Sequence, residues 1–389
     1  MAVNNLTFEQ SAAVLNAVVQ QATGQATLAA TNTSDFVSVA QTALKTGYDT
    51  VLGAISQVLS RTIFSVRPYN RMFRGLEVDN QRYGAIVRKL TSIDLDYVDD
   101  ERYNPTDGET VDMYKIRKPK VLQTNFYGGT PFQSFVTIFG KQLDQAFRNA
   151  EEFGAFISMV MGNMSDHLEQ GRESMARATL ANAIGGKIAK DENVIHLLTE
   201  YNAATGLALT ATSVYQPENF APFMRWVYSR IANISTLMEQ RSSLFHTNIT
   251  GKTIMRHTPA EYQRIYISAA GKNQMDAQVL STTYNDNRLA LANWEAVAYW
   301  QNINDPTSIN VKPSYLADDG TITVPSDAVA KDTVFGVMFD RDAIGYTIIN
   351  QTVNPTPYNP RGGYYNMFYS ETYRWWNDFT ENIVVLLLD

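Results

Sequence analysis

Carboxylates and cations able to do chemistry are concentrated in one short stretch of the chain. Asp94, Asp96, Asp99, Asp100, Glu101, Asp107, Glu109 and Asp112 crowd around a strong turn signal, Asn104-Pro105-Thr106-Asp107-Gly108, and Lys115, Arg117, Lys118 and Lys120 follow directly. Carboxylates in such number suit either a bound cation or a general acid/base pair. A calcium loop needs D-x-[DN]-x-[DN]-G with a bidentate Glu closing it, and this spacing does not supply one. No spacing marks an acid/base pair either. The ordinary explanation of an acidic run is a solvated face. What lifts this one above that explanation is the opposite-sign run behind it. Opposed patches on one projection suit docking onto identical neighbours, where complementary charge sets register and on-rate more than affinity.

The other candidates for chemistry fall away. His167, His196, His246 and His257 do not pair at metal-binding spacing, and no H-E-x-x-H occurs. Gly185-Gly186-Lys187-Ile188 faintly resembles a phosphate loop, but Ala181 stands where the leading glycine belongs and Ile188 where the magnesium hydroxyl belongs. Cysteine is absent, which excludes disulfides, thiolate metal sites and cysteine nucleophiles. No catalytic, cofactor-binding or metal site is expected, and no cofactor.

Composition points the same way. Hydrophobic residues make up 44% of 389, enough for a sizeable core, while charged residues make up only 18%. That is below the roughly 25% of soluble monomers, as expected of a chain that covers much of its surface with neighbours. A net charge of −7 offers no basic excess for dedicated nucleic-acid binding. Met1 to Asn16 lacks the basic start and apolar run of a secretory signal, and Ile383 to Leu388 is too short to span a membrane. The expectation is a soluble protein from a reducing compartment.

These residues must be positioned by elements that the periodicity outlines. Thr7 and Gln10 form a capping box for a helix carrying Ala12, Val14, Leu15, Val18 and Val19. Gln20 to Ser34 reads as a linker and Asp35 to Ser60 as a second helix. From Asn80 to Phe139 short extended stretches flank the charged turn. They predict a long two-stranded hairpin, acidic towards its tip and on its first arm, basic on the returning arm. An isolated hairpin is marginal in water, so this one must lie on something else. The longest helical stripe runs from about Asn149 to Ala189, on the order of 60 Å. Gly154, Gly162 and Gly171 within it imply close backbone approach, a bend or a break. Pro217 starts a helix through about Gln240, Thr253 to Met255 reads as a strand, and Thr258-Pro259-Ala260-Glu261 as a capped helix start. Asn302 to Asp327 is a turn-rich excursion. Strands close the chain at Thr333–Phe339, Tyr364–Trp376 and Glu381–Leu388, the last buried on both faces.

That order of elements resembles the major capsid proteins of tailed bacteriophages, with the Hong Kong 97-type capsid fold. The motifs carrying the resemblance are Val334-Phe335-Gly336, Phe339-Asp340, Gly345-Tyr346-Thr347-Ile348-Ile349, Thr356-Pro357-Tyr358-Asn359, Tyr373-Arg374 and the closing strand from Asn382-Ile383. Ile254-Met255 with Thr258-Pro259-Ala260-Glu261-Tyr262 and Gly271 resembles the apical unit. Asn359-Pro360-Arg361-Gly362 resembles small short-tailed phages of Gram-positive hosts. The resemblance covers the chain from about Ser65 onward.

It implies an α+β fold with an N-terminal arm over 1–75, an extended hairpin loop over 76–132, a spine helix of the peripheral domain over 133–200, an apical domain over 201–330 and returning strands over 331–389. It implies a shell of pentamers and hexamers, icosahedral or prolate, with inter-subunit contacts at Asp94, Asp96, Asp99, Asp100, Glu101, Lys115, Arg117, Lys118 and Lys120. The N-terminal arm reaches a neighbouring subunit. Partners are the chain itself, a portal protein, double-stranded DNA held non-specifically and no membrane. Residues 1–60 are too short and too sparsely charged for a built-in scaffold, which implies a separate scaffolding protein. Some members cross-link a hairpin lysine to a neighbour; Lys115, Lys118 and Lys120 match by location only. The location implied is the virion capsid, assembled in the host cytoplasm. The rival readings are an encapsulin-type nanocompartment shell and, from 21 Tyr, 5 Trp and many carboxylates, a carbohydrate-active enzyme.

Overall fold

The computed structural model describes residues 8–23, 72–78, 86–93, 120–142, 150–250, 254–279 and 294–389, with single positions or short runs between 35 and 54 and between 100 and 118. Helix α1 (Phe8–Thr23) buries Leu15, Val18 and Val19 at helical spacing, and packs against the long helix described below. It takes in the first residues of the expected linker. The expected helix from Asp35 to Ser60 lies mostly outside the described residues.

Strands β1 (Ile86–Ile93) and β2 (Lys120–Tyr127) pair with each other, and after Gly128 and Gly129 the chain continues as β3 (Thr130–Phe139). Next come α2 (Ala150–Lys190), β4 (Val194–His196), α3 (Leu197–Thr205) and α4 (Pro217–Glu239). Then follow β5 (Gln263–Ser268), α5 (Ala269–Val279), β6 (Trp294–Val297) and the short strands β7 (Ile309–Val311), β8 (Tyr315–Leu316), β9 (Ile322–Thr323) and β10 (Val329–Lys331). The last four are β11 (Val334–Asp340), β12 (Ile344–Pro355), β13 (Tyr364–Asn377) and β14 (Ile383–Leu387).

A mixed sheet in the order β4-β14-β11-β5-β6 forms the centre. Alternate side chains of its strands feed two cores, because successive residues of a strand point to opposite faces. Ile383, Val385 and Leu387 of β14 join Val337 and Phe339 of β11 beneath Leu180, Ala183 and Ile184 of α2. Val384, Leu386, Phe335 and Met338 meet Phe223, Val227, Ile231 and Ile234 of α4 on the other face. All five residues of β14 are fully buried, as expected of the closing strand. This layout fits the expected α+β class.

The stretch Thr258-Pro259-Ala260-Glu261 departs from expectation. Only a single 3-10 turn, Ala260–Tyr262, forms there before the chain enters β5. The helix signal is overridden because Ile265 and Ile267 feed one core and Tyr266 the other, while the backbone pairs with β11 and β6.

Helix α2 is continuous over 41 residues. Gly171 neither breaks it nor admits a neighbour, since a Cβ there would meet open space. Close approach occurs instead at Gly185 and Gly186, where a Cβ would lie 2.6 Å from Val311 Cγ2 and 2.7 Å from Phe379 Cζ. The glycines discarded as a phosphate loop are thus packing residues.

Beside them Lys187 is 1% exposed, its Nζ 3.4 Å from Glu192 Oε2 and 3.2 Å from Thr247 Oγ1. Burial lowers its pKa to about 8, against the pull of Glu192. The unfolded chain therefore holds more protons between about 8 and the ordinary 10.5, and stability rises with pH across that window. The stability of the subunit should rise relative to that of Lys187→Met over that range, by up to about 3 kcal/mol. Parallel pH profiles in thermal unfolding would contradict this.

Candidate assembly interface

The hairpin expected from the charge pattern forms as an antiparallel ladder from Ile86↔Tyr127 to Ile93↔Lys120. The described strand β1 carries Arg88 and Lys89 and no carboxylate, and the acidic residues follow it in sequence from Asp94 onward. Asp94, Asp96, Asp99, Glu101, Lys115 and Arg117 lie outside the described residues. Lys118 is exposed, and Lys120 opens β2 opposite Ile93.

Asp100 is paired within its own turn, with its side chain still exposed. Arg102 of the same turn donates to it from Nε at 2.9 Å and Nη2 at 2.5 Å, and from its backbone N–H at 3.1 Å. The Arg102 side chain accordingly holds the Asp100 carboxyl below its ordinary value. Beside the exposed Asp107, Asp112 and Lys118, the described residues between β1 and β2 include large apolar side chains. Tyr103, Met113, Tyr114 and Ile116 are each 79–83% exposed. Attention to charge passed over these four, although large apolar residues interleaved with charges are not what a purely solvated face carries.

Nearer the body the hairpin is two-faced. Leu122, Thr124 and Phe126 are half-buried, whereas Leu90 and Val121 on the other side are exposed. The Phe126 ring lies 6.2 Å from that of Trp376, and Arg374 Nε donates to Gly128 O at 2.9 Å. On the inner side Lys89 Nζ reaches Asp378 Oδ2 at 2.7 Å and Glu381 Oε1 at 2.5 Å. Burial pulls the Lys89 ammonium down, but Asp378 and Glu381 outweigh it and its pKa is raised. Burial pushes Glu381 up, with Lys89 and Arg256 opposing.

A second apolar surface belongs to the sheet β12-β13-β3. Its inner side buries Tyr365, Met367, Tyr369, Glu371 and Tyr373. Its outer side pairs Phe135 with Phe368 at 5.6 Å and Phe139 with Tyr364 at 6.0 Å, and Phe135 is 60% exposed. Among the described strands β3 is an edge, and it contains no charged residue; of the usual devices against pairing with another chain it carries Pro131 near its start. Exposed apolar area on a strand edge and on a projecting tip marks a protein that meets other proteins.

Among the described residues no group of His, Cys, Asp and Glu could hold a metal ion, and no helix is long and apolar enough to cross a membrane.

The model of the Phi29-like phage major capsid protein family matches residues 15–387. Among solved structures, a chain in the capsid structure of Staphylococcus phage Andhra is similar with a TM-score of 0.54 and 11% identity, over 84% of this chain and 87% of that one. A chain in a structure of the head fiber and inner core protein of native bacteriophage P68 is similar with a TM-score of 0.54 and 10% identity, over the same shares, 84% and 87%. No curated protein matches the sequence.

Proposed function

Because the chain belongs to the Phi29-like phage major capsid protein family, we propose that its copies meet through the hairpin, the tip of one subunit lying on the next. The chain is a phage major capsid protein with the Hong Kong 97-type capsid fold, and it builds the shell from copies of itself. Neither an encapsulin-type compartment nor a carbohydrate-active enzyme draws support from the comparisons. Membership of a structural capsid family implies a non-enzymatic role.

The single observation that supports the hairpin reading is the exposure of Tyr103, Met113, Tyr114 and Ile116 beyond a ladder that, among the described strands, is paired only within itself. Four apolar side chains in water find cover on a neighbour. Around them, Lys115, Arg117, Lys118 and Lys120 supply charge that faces the neighbour's Asp94, Asp96, Asp99, Asp100 and Glu101, with Asp100 reduced to a minor contributor by Arg102. The contacts are heterologous, so rotation closes them into pentamers and hexamers of an icosahedral or prolate head. The segments 1–75, 76–132, 133–200, 201–330 and 331–389 act as arm, hairpin, spine, apical domain and returning strands. The packing of α1 on α2 supports an arm that begins on its own spine helix.

Assembly in the host cytoplasm proceeds around a separate scaffolding protein, with a portal protein at one vertex. The acidic balance suits a wall that holds double-stranded DNA non-specifically, since strong phosphate binding would impede its packing. Negative-stain microscopy of the protein expressed with its scaffold should show shells; a persistent monomer by light scattering contradicts the reading. Reversing Lys115, Arg117, Lys118 and Lys120 to Glu should block shells while circular dichroism stays unchanged. Normal shells from that variant would remove charge from the docking.

A further inference from the structure

Among the described strands β1 and β2 pair only with each other, so no backbone ladder to the body sets the direction of the hairpin. Side chains on one of its faces must do so. Lys89 and Thr91, two residues apart, point to the same side of β1. Lys89 meets Asp378 and Glu381, and Thr91 Oγ1 accepts from Arg256 Nη2 at 3.3 Å. Arg256 Nε also lies 3.1 Å from Glu381 Oε1 and donates to Thr380 O at 2.9 Å. Three segments distant in sequence therefore converge on one ionic cluster.

The cluster is stiff on the body side. Asp378 divides its carboxylate: Oδ2 takes Lys89, while Oδ1 accepts the Thr380 backbone N–H at 3.0 Å and the Thr380 hydroxyl at 2.6 Å. The turn between β13 and β14 is thus closed by the same residue that holds the hairpin. Two cations face two carboxylates, so the closed cluster is neutral. The Asp378 and Glu381 side chains are 1% and 12% exposed, so solvent screens the cluster little and its hydrogen bonds are directional in a way that an apolar contact is not.

We infer that Lys89, Arg256, Asp378 and Glu381 are positioning residues that hold the root of the hairpin at one angle to the body. The consequence for assembly rests on the proposed hairpin contact; the positioning itself does not.

The chain has no cysteine, so Val121→Cys on the exposed outer face of β2 and Ile303→Cys on the body accept spin labels at those sites alone. Electron–electron distance measurement on the dissociated, doubly labelled subunit should give one narrow distribution. Lys89→Met should lose it and Lys89→Arg should keep it. Because Lys89→Met strands two buried carboxylates, a neutral-root variant (Lys89→Met, Asp378→Asn, Glu381→Gln) tests the same point without them and should also lose the narrow distribution. A broad distribution in the parent, or a narrow one in the neutral-root variant, overturns the inference. If the distribution broadens as expected yet shells form normally, positioning stands and the docking reading falls.

Discussion

Replacing Arg172 with methionine is expected to destabilise the subunit by ~3–5 kcal/mol, the range for removing one partner of a buried ion pair. Arg172 stands on α2 and its Nη2 lies 2.7 Å from Glu371 Oε1 on β13, with a second carboxylate, Glu169 Oε1, 2.7 Å from Nη1. The Glu371 side chain is 1% exposed. Without the guanidinium, the partner left to Glu371 among the described residues is the Tyr373 hydroxyl, a neutral donor, for a charge in a dry site. Burial first, and then Glu371 itself, keep that phenol protonated by raising its pKa. Glu371→Gln in the Arg172→Met background should recover most of the loss, since the stranded charge is then gone. A double-mutant cycle from urea unfolding of the dissociated subunit isolates the coupling. A cost within a few tenths of a kcal/mol for Arg172→Met would mean the pair is solvated, contrary to its burial. The pair matters beyond stability because it ties the three-stranded sheet, with its exposed aromatic side, to the longest rod in the molecule.

Elements held by their own periodicity were legible. The stripe through Leu168 and Met175 marks a helix whatever lies around it, and α2 begins and ends within a residue of the expected bounds. The closing strand was equally plain, because an uninterrupted apolar run has only an interior to occupy. Features that depend on distant partners were not legible. Gly185 and Gly186 are needed because Val311, Pro313, Tyr315 and Phe379 press on them, and nothing near those glycines announces that. Gly171, which looked equally significant, faces open space. At Thr258 a sound local signal lost to two flanking strands that the local sequence does not mention.

The candidate interface divides the same way. The pairing of its two strands was readable, since a turn flanked by extended stretches predicts a hairpin. Which charges would be spent internally was not. Lys89 finds its carboxylates 289 and 292 residues further on, and Asp100 finds Arg102 only once the turn has closed.

Replacing Tyr114 and Ile116 together by aspartate is expected to abolish shell formation outright, with a subunit that remains folded. Both side chains are about four-fifths exposed in the lone chain, so the change removes nothing from its core. Buried on a neighbour, each would contribute roughly 1.5–3 kcal/mol, and a carboxylate in its place adds a desolvation cost. The same loss recurs at every copy in a shell. Tyr114→Phe with Ile116→Leu should assemble normally, since volume and apolarity are kept. Salt separates this effect from that of charge reversal at Lys115, Arg117, Lys118 and Lys120. Exposed charges are screened beyond about 8 Å at physiological ionic strength, so high salt should partly restore shells in the reversal variant. It should do nothing for the aspartate pair, whose defect is lost apolar area. Shells counted by microscopy across a salt series would assign the affinity to one or the other. If the aspartate pair assembles at low salt, the tip is a solvated loop and the charges alone carry the contact.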